Sequence, residues 1–165
     1  MGSSSLSKKE IGYIESVNRN RDIITDTAKS LIEAVERGEL EEVDCTVEHR
    51  FSPGLYLREI FMPAGTRIIG KIHATEHFNI VLTGSCTMIT AEGIEEIKAP
   101  YTFISKAGIQ KCLVIHEDCV WQTTHVTDSK DVEEIEKQVI VECYDNLIND
   151  DLLKNIKRAQ LCHGD

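Results

Sequence analysis

The chain has 165 residues, 41% of them hydrophobic, enough for one domain with a real core and terminal additions. Its 28 acidic residues against 18 basic give a formal net charge of −10, which argues against a nucleic acid as main partner, because neutralising a phosphate backbone takes clustered Lys and Arg. No stretch approaches the ~18 consecutive apolar residues of a membrane span. The opening MGSSSLSKKE lacks the apolar core of a secretory signal, and Leu6 stands where a myristoylation signal needs Ser or Thr, so a soluble cytoplasmic protein is expected.

Residues 1–20 read as a polar lead. From about Asp22, Ile24, Ala28, Leu31 and Val35 recur at spacings of three and four, one face of a helix, and Gly38 reads as its C-terminal cap. Glu33, Glu36, Glu39, Glu41 and Glu42 make that end acidic and are expected to face water. The texture turns to β at Val43. Residues 44–51 alternate loosely up to the turn signal Ser52-Pro53-Gly54, and 55–62 alternate clearly, with Tyr56, Arg58 and Ile60 on one face and Leu57, Glu59 and Phe61 on the other. The run 65–84 opens after the turn Pro63-Ala64-Gly65, is split by His73-Ala-Thr-Glu-His77 and closes at a second expected turn, Thr83-Gly84. Further strands are expected over 85–90, 94–98, 101–105, 110–115 and 119–126, with turns at Ala91-Glu92-Gly93, Lys106-Ala-Gly and His116-Glu-Asp. Helical spacing returns after Thr127-Asp128, with Val132, Ile135 and Val139 on one face and Asp128 or Ser129 as N-cap. A second short helix is expected around Leu147, Leu152, Leu153 and Ile156. These C-terminal segments either cover an open barrel end or form a dimer contact.

Short strands with turns every 8–12 residues, flanked by helices, predict a mainly β protein: an antiparallel barrel over 43–127, an N-terminal segment and amphipathic helix over 1–42 and a helical segment over 128–165. Cys45, Cys86, Cys112, Cys119, Cys143 and Cys162 form no CxxC pair, so free thiols are expected, with Cys112 and Cys119 flanking a hairpin. His73 and His77 lie four apart, which puts both rings on one face of a straight strand or lets them converge across a bend. They are candidates for a metal or acid/base site, or for a hydrogen-bonded core pair. Arg58, Asn79, Trp121 and His125 are second-rank candidates. Asn79 shares the face of His77 if the strand is straight, and Trp121, Thr123 and His125 share one face of the last strand.

The central stretch resembles the cupin superfamily. That family's first motif reads G(X)5HXH(X)3,4E(X)6G, and Gly65, Lys71, His73, His77 and Gly84 reproduce its spacing. Lys71 stands in place of the first His, and His77 in place of the Glu. The second motif, G(X)5PXG(X)2H(X)3N, is matched in spacing from Pro100 through Lys106, Gly108, Lys111 and Ile115, with Lys111 in place of the metal-binding His. The resemblance implies a jelly-roll barrel. It also implies that Lys71, His73, His77 and Lys111 sit at the family's metal-ligand positions, while an ordinary lysine (pKa about 10.4) is charged and offers no lone pair. Either the lysine stems line the barrel with their amines at its mouth, or the interior takes an anion.

Three functions follow as expectations. The first is a non-catalytic cupin-fold protein that binds a small anionic ligand in its barrel, on Lys71, His73, His77, Lys111, Arg58, Asn79, Trp121 and His125. The second is a metal-dependent enzyme of dioxygenase, isomerase or lyase type, with Fe, Mn, Ni or Zn on His73, His77 and a further ligand such as His125. The third is a virion-associated or host-interaction protein, because His125-Val-Thr-Asp and the acidic segment after it look similar to small cupin-like proteins of bacteriophages; host cytoplasm or virion would then be its place. A homodimer is expected, because the apolar faces of the terminal helices need cover.

Overall fold

The computed structural model describes residues 7–144. They form helix α1 (Lys8–Glu36), strands β1 (Val47–Ser52), β2 (Leu55–Met62), β3 (Arg67–Ile69), β4 (Ile72–His73), β5 (His77–Thr90), β6 (Gly93–Lys98), β7 (Tyr101–Ser105) and β8 (Cys112–Val126), then helix α2 (Val132–Val139) and strand β9 (Ile140–Val141). The expected second C-terminal helix, with Cys162, lies outside the described residues.

The spine of the barrel is the antiparallel pair β5–β8. Its first half, His77–Val81 against Trp121–Thr124, is flanked by β7 on one side and by β2 and β1 on the other. Its second half, Cys86–Ile89 against Cys112–Ile115, is flanked by β6 and β3. Between the halves the register shifts three times, from Val81 to Cys86. Those bulges bend the sheet so that both halves share one core. Met62, Val81 and Trp121 from one half pack with Cys86, Met88, Ile97, Leu113 and Ile115 from the other.

Two expected turns are therefore absent. Thr83-Gly84 and His116-Glu-Asp lie inside β5 and β8, opposite each other at the bulge. Gly84 (φ +85) is required there for a different reason: a Cβ on it would meet the carbonyl oxygens of Glu117, at 2.7 Å, and Asp118, closer still. Polar residues on both strands mimic a turn when the chain only bulges. A consequence is that Cys112 and Cys119 sit seven residues apart on one strand, roughly 23 Å at ~3.3 Å per residue, and do not flank a hairpin. All five described cysteines are free.

The polar lead is also corrected. Helix α1 starts at Lys8, with Ser7 and Glu10 forming a reciprocal capping box. Its packed residues are Ile14, Val17, Arg21 and Ile24; Val17 and Ile24 cluster with Ala91 and Cys112. Arg21 sits in that apolar stripe with its guanidinium 4.6 Å from the centre of the Tyr144 ring, which hides the helical period from a hydrophobicity reading. Helix α2 is capped by Asp131 rather than Asp128 or Ser129; its carboxylate accepts from the backbone N–H groups of Glu133 and Glu134. Its buried Ile135 and Val139 pack on Tyr56, while β9 pairs with β4. Helix α2 and β9 together close one end of the barrel over His73. Among the described residues no helix is long and apolar enough to cross a membrane.

Candidate functional site

The site is built by strand register. On β2 the inward residues are Tyr56, Arg58, Ile60 and Met62, paired with His125, Thr123, Trp121 and Cys119 of β8. On β5, Asn79 pairs with Thr123 and Val81 with Trp121, so the next inward step sets His77 beside His125. His73 comes in from β4. The three imidazoles meet under α2, with ring centroids 4.3 Å apart for His73–His77, 4.8 Å for His77–His125 and 5.4 Å for His73–His125.

All three rings are held neutral, mainly by burial, which pushes His73 down to about 2 and His77 and His125 down to about 4. The charges acting on them add to this. His73 feels His77, Lys111, His125 and Arg58, every one of them positive when charged. His77 donates Nδ1–H to the Thr75 carbonyl at 2.9 Å, which leaves Nε2 as a lone pair. That Nε2, Nδ1 of His73, Nδ1 of His125 and the hydroxyl of Thr123 are buried and find no hydrogen-bond partner among the described residues. Such groups are costly to leave unpaired.

Lys111 lies in the same region, 7% exposed, and burial lowers its ammonium to about 8. It faces Gly70, whose N–H donates to the Lys111 carbonyl at 2.8 Å. Arg58 and Lys111 line a cavity of about 90 Å³ with His73, Asn79, Thr123 and Trp121. A larger hollow, about 350 Å³, runs beside β6 and β7; Lys111 lines it as well, with Lys106, Glu92 and Glu95, and none of the three histidines does.

The remaining sequence candidates are placed differently. Lys71 also lines the cavity of about 90 Å³, but its ammonium reaches outward and pairs with Glu136 of α2 at 2.9 Å, both well exposed, as expected of a stem that lines the barrel with its amine at the mouth. A carboxylate on the lid offers it a wet partner, where the interior would offer none. Asn79 is fully buried and its amide is spent on structure: it accepts from Trp121 Nε1 at 3.1 Å and donates to Ser105 Oγ at 3.0 Å. Trp121 packs edge-on against Phe103 in the core. Glu59 points out of the barrel, to Arg50 and Gln122. Thr123 was the residue most easily missed, although its even spacing between Trp121 and His125 marks it as inward-facing.

In donor type, three neutral imidazoles suit Zn, Fe, Mn or Ni. In placement they do not, because among the described residues no three or more His, Cys, Asp or Glu stand together so as to hold one ion. In charge the surroundings are also wrong for a cation, since an ammonium and a guanidinium act on the cluster where carboxylates would be wanted. The site as arranged does not fit a bare divalent ion.

No family model matches the sequence, and no curated protein matches it. Solved structures do. The lyase DddQ, a DMSP lyase from Ruegeria pomeroyi DSS-3, is similar at 12% identity and a TM-score of 0.45, over 53% of this chain and 49% of that one. An RmlC-like cupin family protein from Methanocaldococcus jannaschii, described as a double-stranded β-helix, is similar at 10% identity and a TM-score of 0.44, over 53% of this chain and 84% of that one. The Cnp3 cupin domain of Schizosaccharomyces pombe is similar at 18% identity and a TM-score of 0.43, over 59% and 75%. The match thus spans about half the length of the lyase. With its bulged β5–β8 spine and its antiparallel halves wrapped on one core, this chain is an antiparallel β-barrel with flanking helices.

Proposed function

We propose that the protein binds a small anion at the centre of its barrel, as a binding protein rather than a catalyst. One observation carries this reading: the buried ammonium of Lys111 lies among Arg58, His73, His77 and His125, and the charges that act on His73 are all positive. An uncompensated buried charge costs several kcal/mol, roughly, and an anion on Lys111 and Arg58 offsets it. The unpaired hydroxyl of Thr123, and Nδ1 of His73 and of His125 in the tautomer that carries its hydrogen there, supply neutral hydrogen-bond donors to the same ligand. Calorimetric titration with small carboxylates and inorganic phosphate tests it. The expected result is one site per chain, weakened by Lys111→Met; no binding of any of these anions would overturn it.

A second reading, a metal-dependent enzyme, has one observation in its favour: His125 joins His73 and His77, and each ring keeps a buried nitrogen without a partner. It requires the three rings to turn toward a common point. Stoichiometric Fe, Mn, Ni or Zn in protein purified without added metal, lost in His73→Ala, would favour it over the anion.

A further inference from the structure

Polarity is graded along the barrel axis. From the α2 end inward, the rows set by strand pairing run Tyr56–His125, then Arg58–Thr123, then Ile60–Trp121, then Met62–Cys119. The cavity of about 90 Å³ spans this gradient, with Arg58, Lys111 and Thr123 among its polar lining and Ile60, Met62, Ile68, Leu113 and Trp121 among its apolar lining. A site for a bare inorganic anion has no use for five apolar side chains. A site for a sugar phosphate or nucleotide needs polar groups for hydroxyls and bases, and a volume nearer the ~300 Å³ and above of ordinary ligand pockets. At ~30 Å³ for each water-sized group, this cavity holds roughly three such groups.

We propose that the ligand is a short-chain monocarboxylate, with its carboxylate on Lys111, Arg58 and Thr123 and an apolar tail of about one or two carbons against Ile60, Met62, Leu113 and Trp121. The inference rests on the anion reading above and adds the tail. Thr123 donates its otherwise unpaired hydroxyl hydrogen to one carboxylate oxygen. Trp121 is fixed by its bond to Asn79, so the tail meets a wall that is already ordered.

The test is a calorimetric series on the wild-type full chain with acetate, propionate, butyrate, valerate and hexanoate, beside inorganic phosphate and ribose 5-phosphate. The expected affinity rises about fourfold from acetate to propionate, for the one methylene buried, and falls from butyrate onward. Leu113→Ala, which lengthens the apolar end, is expected to move the optimum toward butyrate or valerate. If that variant does not fold, the wild-type series alone decides. A flat series, or tighter binding of phosphate or ribose 5-phosphate than of any carboxylate, overturns the tail while leaving an anion site standing. Binding of none of the seven compounds overturns both.

Discussion

Lys111 is the residue on which the account turns, because it carries a charge that the fold buries and for which no hydrogen-bond or ion-pair partner stands among the described residues. Lys111→Met keeps the length of the side chain and removes the charge. The variant is expected to lose at least about tenfold in anion affinity, the scale of one charge-assisted hydrogen bond, and to melt at the same or a higher temperature than the parent without ligand. A lower melting temperature would show that the ammonium is structurally satisfied. The histidines make a separate prediction. Their native values, about 2 for His73 and about 4 for His77 and His125, lie below the unfolded value near 6.5, so the unfolded chain binds more protons as pH falls. Stability is then at its full level above about pH 6.5 and declines from there toward pH 4, by at most about 1.4 kcal/mol per pH unit for each histidine. Urea midpoints between pH 7.5 and 5 measure this, and His125→Gln should flatten the decline; a midpoint independent of pH would contradict it. At this scale the sequence was partly legible. The even spacings gave inward directions to Arg58, Thr123 and His125, and the cupin-like frame pointed to His73, His77 and Lys111. The frame also pointed to Lys71, whose outward turn depends on Glu136, a residue 65 positions later on a different element.

At the scale of elements, β2 and β7 were legible to the residue because turn signals bound them and their alternation is clean. The long strands β5 and β8 were not, because bulges and turns draw on the same glycines and polar residues. Whether Gly84 turns the chain or only bends it is decided by its neighbour across the ladder. Gly84→Ala places a Cβ against the carbonyls of Glu117 and Asp118 and forces a residue with φ +85 out of its preferred region. The expected cost is about 1–3 kcal/mol in urea unfolding, with β5–β8 pairing loosened next to the core. An unchanged midpoint would mean that the bulge relaxes freely. Helix α1 shows the opposite failure. Its S-x-x-E cap, Ser7 to Glu10, is explicit in the sequence, but the buried Arg21 breaks the apolar stripe and conceals the first half of the helix.

The whole molecule presents a second apolar surface. On the outer face of the sheet, Phe78 pairs with Ile104 and Phe61 with Val120, and Leu82 lies near them; Phe78, Ile104, Leu82 and Phe61 are all exposed. The charges on this face are internally matched, since Arg50 pairs with Glu59 at 3.1 Å. A face that is apolar and locally neutral can pack on a copy of itself despite the net charge of −10. The account therefore expects a homodimer through the sheet, a different surface from the terminal helices that the sequence suggested. Light scattering at micromolar concentration should give twice the chain mass, falling to one in Phe78→Asp; a wild-type monomer would contradict this.

The central claim is that the barrel's charge is set for an anion, and one titration addresses it. Wild-type protein and Lys111→Met, both freed of metal with chelator, are titrated with propionate in a calorimeter. The account predicts stoichiometric binding to the wild type and at least about a tenfold loss in the variant. Binding that is indifferent to Lys111→Met, or that appears only when Zn, Fe, Mn or Ni is restored, would contradict it.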